Sequence, residues 1–221
     1  IAWSCFIVGA ATMALNKHGV VPRNSLTENL VQIGVFLEVV LLSLALARRI
    51  NRLKEAHSDS VRDRAIAEME AFKAKYGYDL APPATWKQLT DIAEFFHRPD
   101  EDRYGIAIYT DNSYDAMVMG VENAIFSYGA ELGDFETYKV DGYVNSPEAV
   151  AALENYKKLY GYTPPGWAKT FFVENNQAIT EGLVAMSMNY FAFFPALLNE
   201  ATNPHAANTG FFANPAGPGG D

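Results

Sequence analysis

The sequence predicts an α/β fold, and three observations carry the prediction. From residue 82 onward, apolar stripes at helical spacing alternate with short apolar runs of strand length. Start and stop residues punctuate the helical stretches, as where Ser146 and Pro147 open one and Gly161 closes it. The 221 residues are 49% hydrophobic, enough to bury a core.

Taken in order, Ile1 to Leu15 is apolar but shorter than the about 20 residues that span a bilayer. It is expected to be the tail of a helix whose start lies upstream. The only cysteine, Cys5, lies in this run, so neither a disulfide framework nor a cysteine metal site is expected. Acylation of Cys5 would call for a polar tether where "FIVGAATMAL" follows. A polar loop comes next, in which Ser25 or Thr27 can cap a helix and Glu28 suits its positive end. Leu30 to Ala47 is an apolar helix interrupted by Gln32 and Glu38, and reads as transmembrane. Glu38 is costly in lipid and should face protein or water. Lys17 and Arg23 precede this helix, whereas Arg48, Arg49, Arg52 and Lys54 follow it at once, which predicts that residue 48 onward starts in the cytoplasm.

Helical spacing continues to Lys75 through Leu46, Ile50 and Leu53, and then through Ile66, Met69 and Phe72. Between these groups "EAHSDSVRDR" lacks a stripe, which places a junction at residues 57–67, between a helical segment (1–56) and an α/β domain (68–221). In that domain Thr85 caps a helix with Trp86, Leu89, Ile92, Ala93 and Phe96 on one face. "YGIAIY" is a buried strand, and a helix with Met117, Val121, Ile125 and Tyr128 on one face reaches toward Gly129. "SPEAVAALENYKKLYGY" is the clearest helix. A short helix over 173–181, the strand "LVAMSM", a last helix bent or started by Pro195, and a strand-like "TGFFANP" complete the chain.

Charge excludes one class of partner. The total is −9, yet residues 1–60 carry six cations against four carboxylates, so the rest is −11, and nucleic acid is not expected as a partner. His18, His57, His97 and His205 are scattered without ligand spacing, and the methionine pairs sit at core spacing, so no metal and no cofactor are expected. Glu131 and Asp134 read as a solvated turn. No nucleophile elbow, Walker loop or dinucleotide fingerprint occurs, which points away from an enzyme.

The ordered series "YGYDLAPPATWKQLTDIAEFF", "YGIAIY", "FSYGAELGD", "VNSPEAVAALENYKKLY", "NNQAITEGLVAMSMNY" and "TGFFANPAGPGG" resembles the C-terminal lobe of family 1 extracellular solute-binding proteins of carbohydrate ABC transporters. The resemblance covers residues 68–221 and implies a partial periplasmic-binding-protein-like lobe of type II, preceded by one or two transmembrane-like α-helices. Residues 1–56, with "NSLTENLVQIGVFLEVVLLSLALARRIN", resemble the last helices of a bacterial seven-helix receptor of the diverse intracellular signalling type. The first lobe of the binding protein, with its secretion signal, is not in this sequence, so the resemblance implies half of a clamshell.

The first resemblance implies capture of a sugar or oligosaccharide by cleft closure, delivery to ABC permease subunits, and a periplasmic or extracellular location, while the apolar run at residues 30–47 implies a membrane as a further partner. The cations after residue 47 conflict with that location. Sugars need stacking rings and hydroxyl-binding amides. Asn112 and Tyr114 match a family position at the start of a cleft helix; the plainer reading is a cap and a core tyrosine. Trp167 matches a stacking aromatic, or packs a lid. Asn189 and Tyr190 follow the second strand, where relatives often carry tryptophan. The alternatives are a fragment of a membrane signalling receptor and a non-functional join of two pieces.

Overall fold

The structure, a computed structural model, describes residues 2–22 and 24–218; within helices the side chains of residues 2–6, 9, 25–28, 30, 31, 34 and 38 lie outside that description. The expectations for Cys5, Arg23, Ser25, Thr27, Glu28 and Glu38 therefore fall outside the described residues. The chain divides into two compact units, Ile1–Glu70 and Ala71–Asp221.

In the first unit, α1 (Ala2–Lys17) ends at a turn that only glycine adopts without strain, Gly19 at φ +73°. Helix α2 (Ser25–Tyr76) runs unbroken for 52 residues and passes through the polar stretch 57–67. That stretch has no apolar stripe, but ion pairs of Arg62 with Asp59 (3.4 Å) and Arg64 with Glu68 (3.4 Å) sit at helical spacing and support it. Among the described residues no helix is long and apolar enough to cross a membrane. The span expected at Leu30 to Ala47 includes residues 30, 31, 34 and 38, whose side chains are not described.

The second unit begins inside the last turns of α2, because Phe72 is fully buried there against Tyr76, Tyr78 and Phe95. Helix α3 (Trp86–Phe96) opens on a capping box, with Thr85 accepting from the Gln88 amide and the Gln88 side chain accepting from the Thr85 amide. Strand β1 (Tyr104–Ala107) follows and is buried along its whole length. Gly105 makes this possible, since a Cβ there would overlap the Ala93 carbonyl of α3.

The helix expected after β1 is divided. A turn of α4 (Tyr114–Ala116) leads into π-helical Met117–Glu122 and then α5 (Asn123–Ser127). The widened stretch packs its Gly120 against Tyr156 and Tyr109, where any side chain would strike the Tyr156 hydroxyl. The caps read at Ser146 and Pro147 open α6 (Pro147–Tyr160), with the Ser146 hydroxyl accepting from the Ala149 amide at 3.2 Å. Then come α7 (Phe172–Thr180) and β2 (Val184–Ser187).

Two expectations are corrected. The last helix is reduced to a 3-10 turn (Phe191–Phe193) and a single turn, α8 (Phe194–Leu197), because Asn203 takes the Leu197 carbonyl (2.6 Å) and turns the chain. The tail "TGFFANP" is not a strand: Phe211 stacks on Phe194 at 4.1 Å, Asn214 donates to Asn123 at 2.9 Å, and the next residue, Ala216, bridges Thr85.

The two strands pair in parallel, Tyr104 with Val184 and Ile106 with Met186. The other edge of β1 is met by the chain after α6: the Gly105 amide donates to the Tyr162 carbonyl (2.9 Å) and the Thr110 amide to the Thr170 carbonyl (3.0 Å). Ile106 and Ile108 join a core with α3, α5 and α6, whereas Tyr104 and Ala107 join a smaller one with Trp167, Ala178 and Val184. A strand covered on both faces reads as a continuous apolar run, as "YGIAIY" does.

Candidate functional site

Parallel pairing makes both strands leave the sheet at the same end, which is where open α/β sheets bind ligands. The segments leaving β1 and β2 are joined there by side chains 80 residues apart in sequence. The Tyr109 hydroxyl donates to Asn189 Oδ1 (2.7 Å) and accepts from the Tyr190 amide (3.0 Å). Asn189 Nδ2 donates to Asn176 Oδ1 (2.7 Å) and to the Phe172 carbonyl (3.3 Å), tying the junction to α7. Beneath it the fully buried Asn175 donates to the Met188 carbonyl (2.6 Å). The ring of Tyr109 packs edge-on against Phe171 at 5.0 Å.

The sequence-derived residues fare differently. Asn189 is half-buried with its oxygen and its amide nitrogen both engaged, and Tyr190 is 42% exposed against Phe191. Asn112 is exposed and Tyr114 is 80% exposed, so Tyr114 is no core tyrosine. Among the described residues no hydrogen bond or ring contact joins Asn112 or Tyr114 to Asn189 or Tyr190. Trp167 is turned inward: it is 8% exposed and its indole donates to the Ile108 carbonyl at 3.0 Å. Its carbonyl accepts from the Thr110 and Thr170 hydroxyls, which fixes the loop beside the β1 exit. Trp167 packs in the smaller core with Tyr104, Ala107, Ala178 and Val184.

Two clefts flank the Tyr109–Asn189 link. One, of about 310 Å³, is bordered by β2, Asn189, Phe194, His205 and Phe211. The other, of about 350 Å³, is bordered by Tyr109, Asp111, Met117, Tyr156 and Lys157. Burial pushes the Tyr109 phenol up to about 12, and burial also raises Tyr156, whose hydroxyl donates to the Tyr109 carbonyl at 2.8 Å. Both phenols stay protonated donors at neutral pH. Asp111 is held below the usual carboxylate range by its hydrogen bonds with the Ser113 hydroxyl and amide, so a half-buried anion stands beside Asn112. Among the described residues no three His, Cys, Asp or Glu gather as metal ligands.

Sequence reasoning missed Tyr109, Thr110, Thr170 and Asn176. The signal for Tyr109 was its place as the last residue of the buried run "YGIAIY", where a phenol needs a partner. Asn176 carried no signal, because α7 reads alike with either of its asparagines turned inward.

Residues 62–217 match the family model described as bacterial extracellular solute-binding protein, and the chain belongs to that family. Residues 1–49 match the model described as 7TM diverse intracellular signalling. A Deinococcus radiodurans protein named "Probable ABC transporter-binding protein" is 28% identical over 66% of this chain and 35% of its own length. The chain thus spans about a third of that relative. Among solved structures, maltose-bound MalE3 of T. maritima is 27% identical with a TM-score of 0.55, covering 69% of this chain and 38% of that one. An ABC transporter solute-binding protein of Thermotoga lettingae bound with α-D-tagatose is 25% identical with a TM-score of 0.51, covering 66% and 38%.

Proposed function

We propose that this chain is a solute-binding component of an ABC importer that captures a sugar, oligosaccharide or related polyol and delivers it to a membrane permease. The observation that carries the reading is the junction at the common end of β1 and β2, where Tyr109 couples Asn189 and Tyr190. Tyr190 and Tyr114 offer exposed rings for the apolar face of a sugar, Asn112 offers an amide for its hydroxyls, and Asn189 contributes by exchanging one of its internal hydrogen bonds for a sugar hydroxyl. Trp167 positions the neighbouring loop from within. The tagatose and maltose carried by the solved relatives support the ligand class. Closure follows from tighter binding in the closed form, with a second lobe supplying the opposing wall. Residues 68–221 are the binding domain, residues 57–67 the junction, and residues 1–56 a membrane segment through residues 30–47.

One half of a clamshell binds weakly, so saturation-transfer NMR on the full chain with tagatose, maltose and ribitol is the suitable test. Transfer to at least one of these, reduced in Tyr190→Ala and Asn189→Ala, is expected. Equal transfer in both variants, or none with any of the three, sinks the reading. The match of residues 1–49 favours a second reading, a membrane signalling receptor whose helix α2 leads out of the bilayer. Protease accessibility in intact cells separates the two, because a binding domain is reached from outside and a receptor output is not.

A further inference from the structure

Helix α2 carries a surface that its own unit leaves uncovered. Leu46 is 59% exposed, Ile50 43% and Leu53 62%. At about 100° per residue these three fall within about 60° of one another on the helix. Arg49 lies about 40° beyond one border of that stripe and Lys54 about 40° beyond the other, while Arg52 and Arg48 sit farther round the helix. All four cations are exposed, and among the described residues none is ion-paired; the ion pairs of α2 begin with Asp59 and Arg62. Glu55 is the one anion adjoining the group.

An apolar stripe bordered by cations is the pattern of a helix lying at the lipid headgroup level. We propose that residues 46–54 dock on the headgroups of a bilayer containing anionic phospholipid. From the borders the stems of Arg49 and Lys54 can follow the stripe while their heads reach the headgroups, the other two arginines add to the local positive charge, and guanidinium groups match phosphate oxygens in pairs. Charge complementarity favours this occupant. Residues 61–221 carry −11 and are repelled by the same surface, so attraction to anionic lipid is confined to the first 60 residues, where these four of the six cations cluster. The proposal stands apart from the sugar-binding reading, since none of its residues takes part in that site.

The test is sedimentation of the full chain with vesicles of phosphatidylcholine alone and of phosphatidylcholine with phosphatidylglycerol in equal parts. Retention on the mixed vesicles is expected to exceed that on phosphatidylcholine by on the order of tenfold at low salt and to fall as salt shortens the screening length. Replacing Arg48, Arg49, Arg52 and Lys54 together by Gln should bring mixed-vesicle retention down to the phosphatidylcholine level. Exchanging the three arginines for Lys should keep the preference. Circular dichroism reports whether the Gln variant remains helical; if it does not, Arg49→Gln and Lys54→Gln alone should each give a partial loss. Equal retention on the two vesicle types overturns the proposal, as does a Gln variant, quadruple or single, that binds mixed vesicles like the parent. Release of the chain from mixed vesicles by duplex DNA at equal phosphate would assign the surface to nucleic acid and overturn it too.

Discussion

The same residue type has opposite fates in the two units. Leu46 and Leu53 on α2 are 59% and 62% exposed, whereas Leu89 and Leu159 in the second unit are 2% and 0% exposed. A leucine that is covered by its own fold stabilises that fold; one left uncovered does nothing for it until a partner or a lipid arrives. The comparison teaches that apolar content by itself does not say where the stabilisation goes.

The comparison breaks first at the core. Leu159→Ala should lower the stability of the second unit by about 2–5 kcal/mol through lost burial and a cavity. Leu46→Ser should change it by less than about 0.5 kcal/mol. Thermal melts followed by circular dichroism measure both, and similar losses would erase the distinction between the units.

Tyr109→Phe sharpens the comparison within the second unit. It removes the hydroxyl that links Asn189 and Tyr190, at a cost of about 1 kcal/mol. The pH dependence has a definite sign. A phenol raised from 10.0 to about 12 by folding keeps its proton while the unfolded chain loses it. Its contribution is therefore whole below pH 10.0 and is lost as pH rises toward about 12. Denaturant midpoints measured across that range should fall less steeply in Tyr109→Phe than in the parent.

The smallest effect belongs to Glu94, half-exposed at the foot of α3. The hydrogen bond from Lys75 (2.9 Å) holds it below its ordinary value of 4.5. A depressed carboxyl contributes stability above its unfolded value and loses it as pH falls through the folded one. Solvent screening limits the pair to less than about 1 kcal/mol. Glu94→Gln should lower stability at neutral pH by less than about 1 kcal/mol and change it little at acid pH, so the acid limb below pH 4.5 is flatter than in the parent.

Element types were legible wherever a local signal was complete. Thr85, Ser146 and Pro147 marked helix starts that the structure uses, and both short apolar runs became strands. The run from Tyr114 to Ser127 kept helical spacing but widened in its middle, because Gly120 had to pass Tyr156. The tail "TGFFANP" had strand-like residues, yet among the described residues it joins no strand of the two-stranded sheet. In the candidate site, Asn189 stood out as a loop amide after a strand, but its partner Tyr109 did not. Trp167 was singled out as an aromatic in a loop, and its indole is held by the Ile108 carbonyl within the interior.

By itself the sequence determined the order of helices and strands, the apolar helix with cations at its foot, and the family. The first two are written in neighbouring residues, through periodicity, capping and composition, and the family in the resemblance of six ordered stretches. Tertiary structure alone decided that the exits of β1 and β2 meet through Tyr109, that Trp167 turns inward and that Tyr114 stays in solvent. Burial and hydrogen-bond partners depend on residues brought together from 57 to 81 positions away, and no local pattern encodes such a meeting.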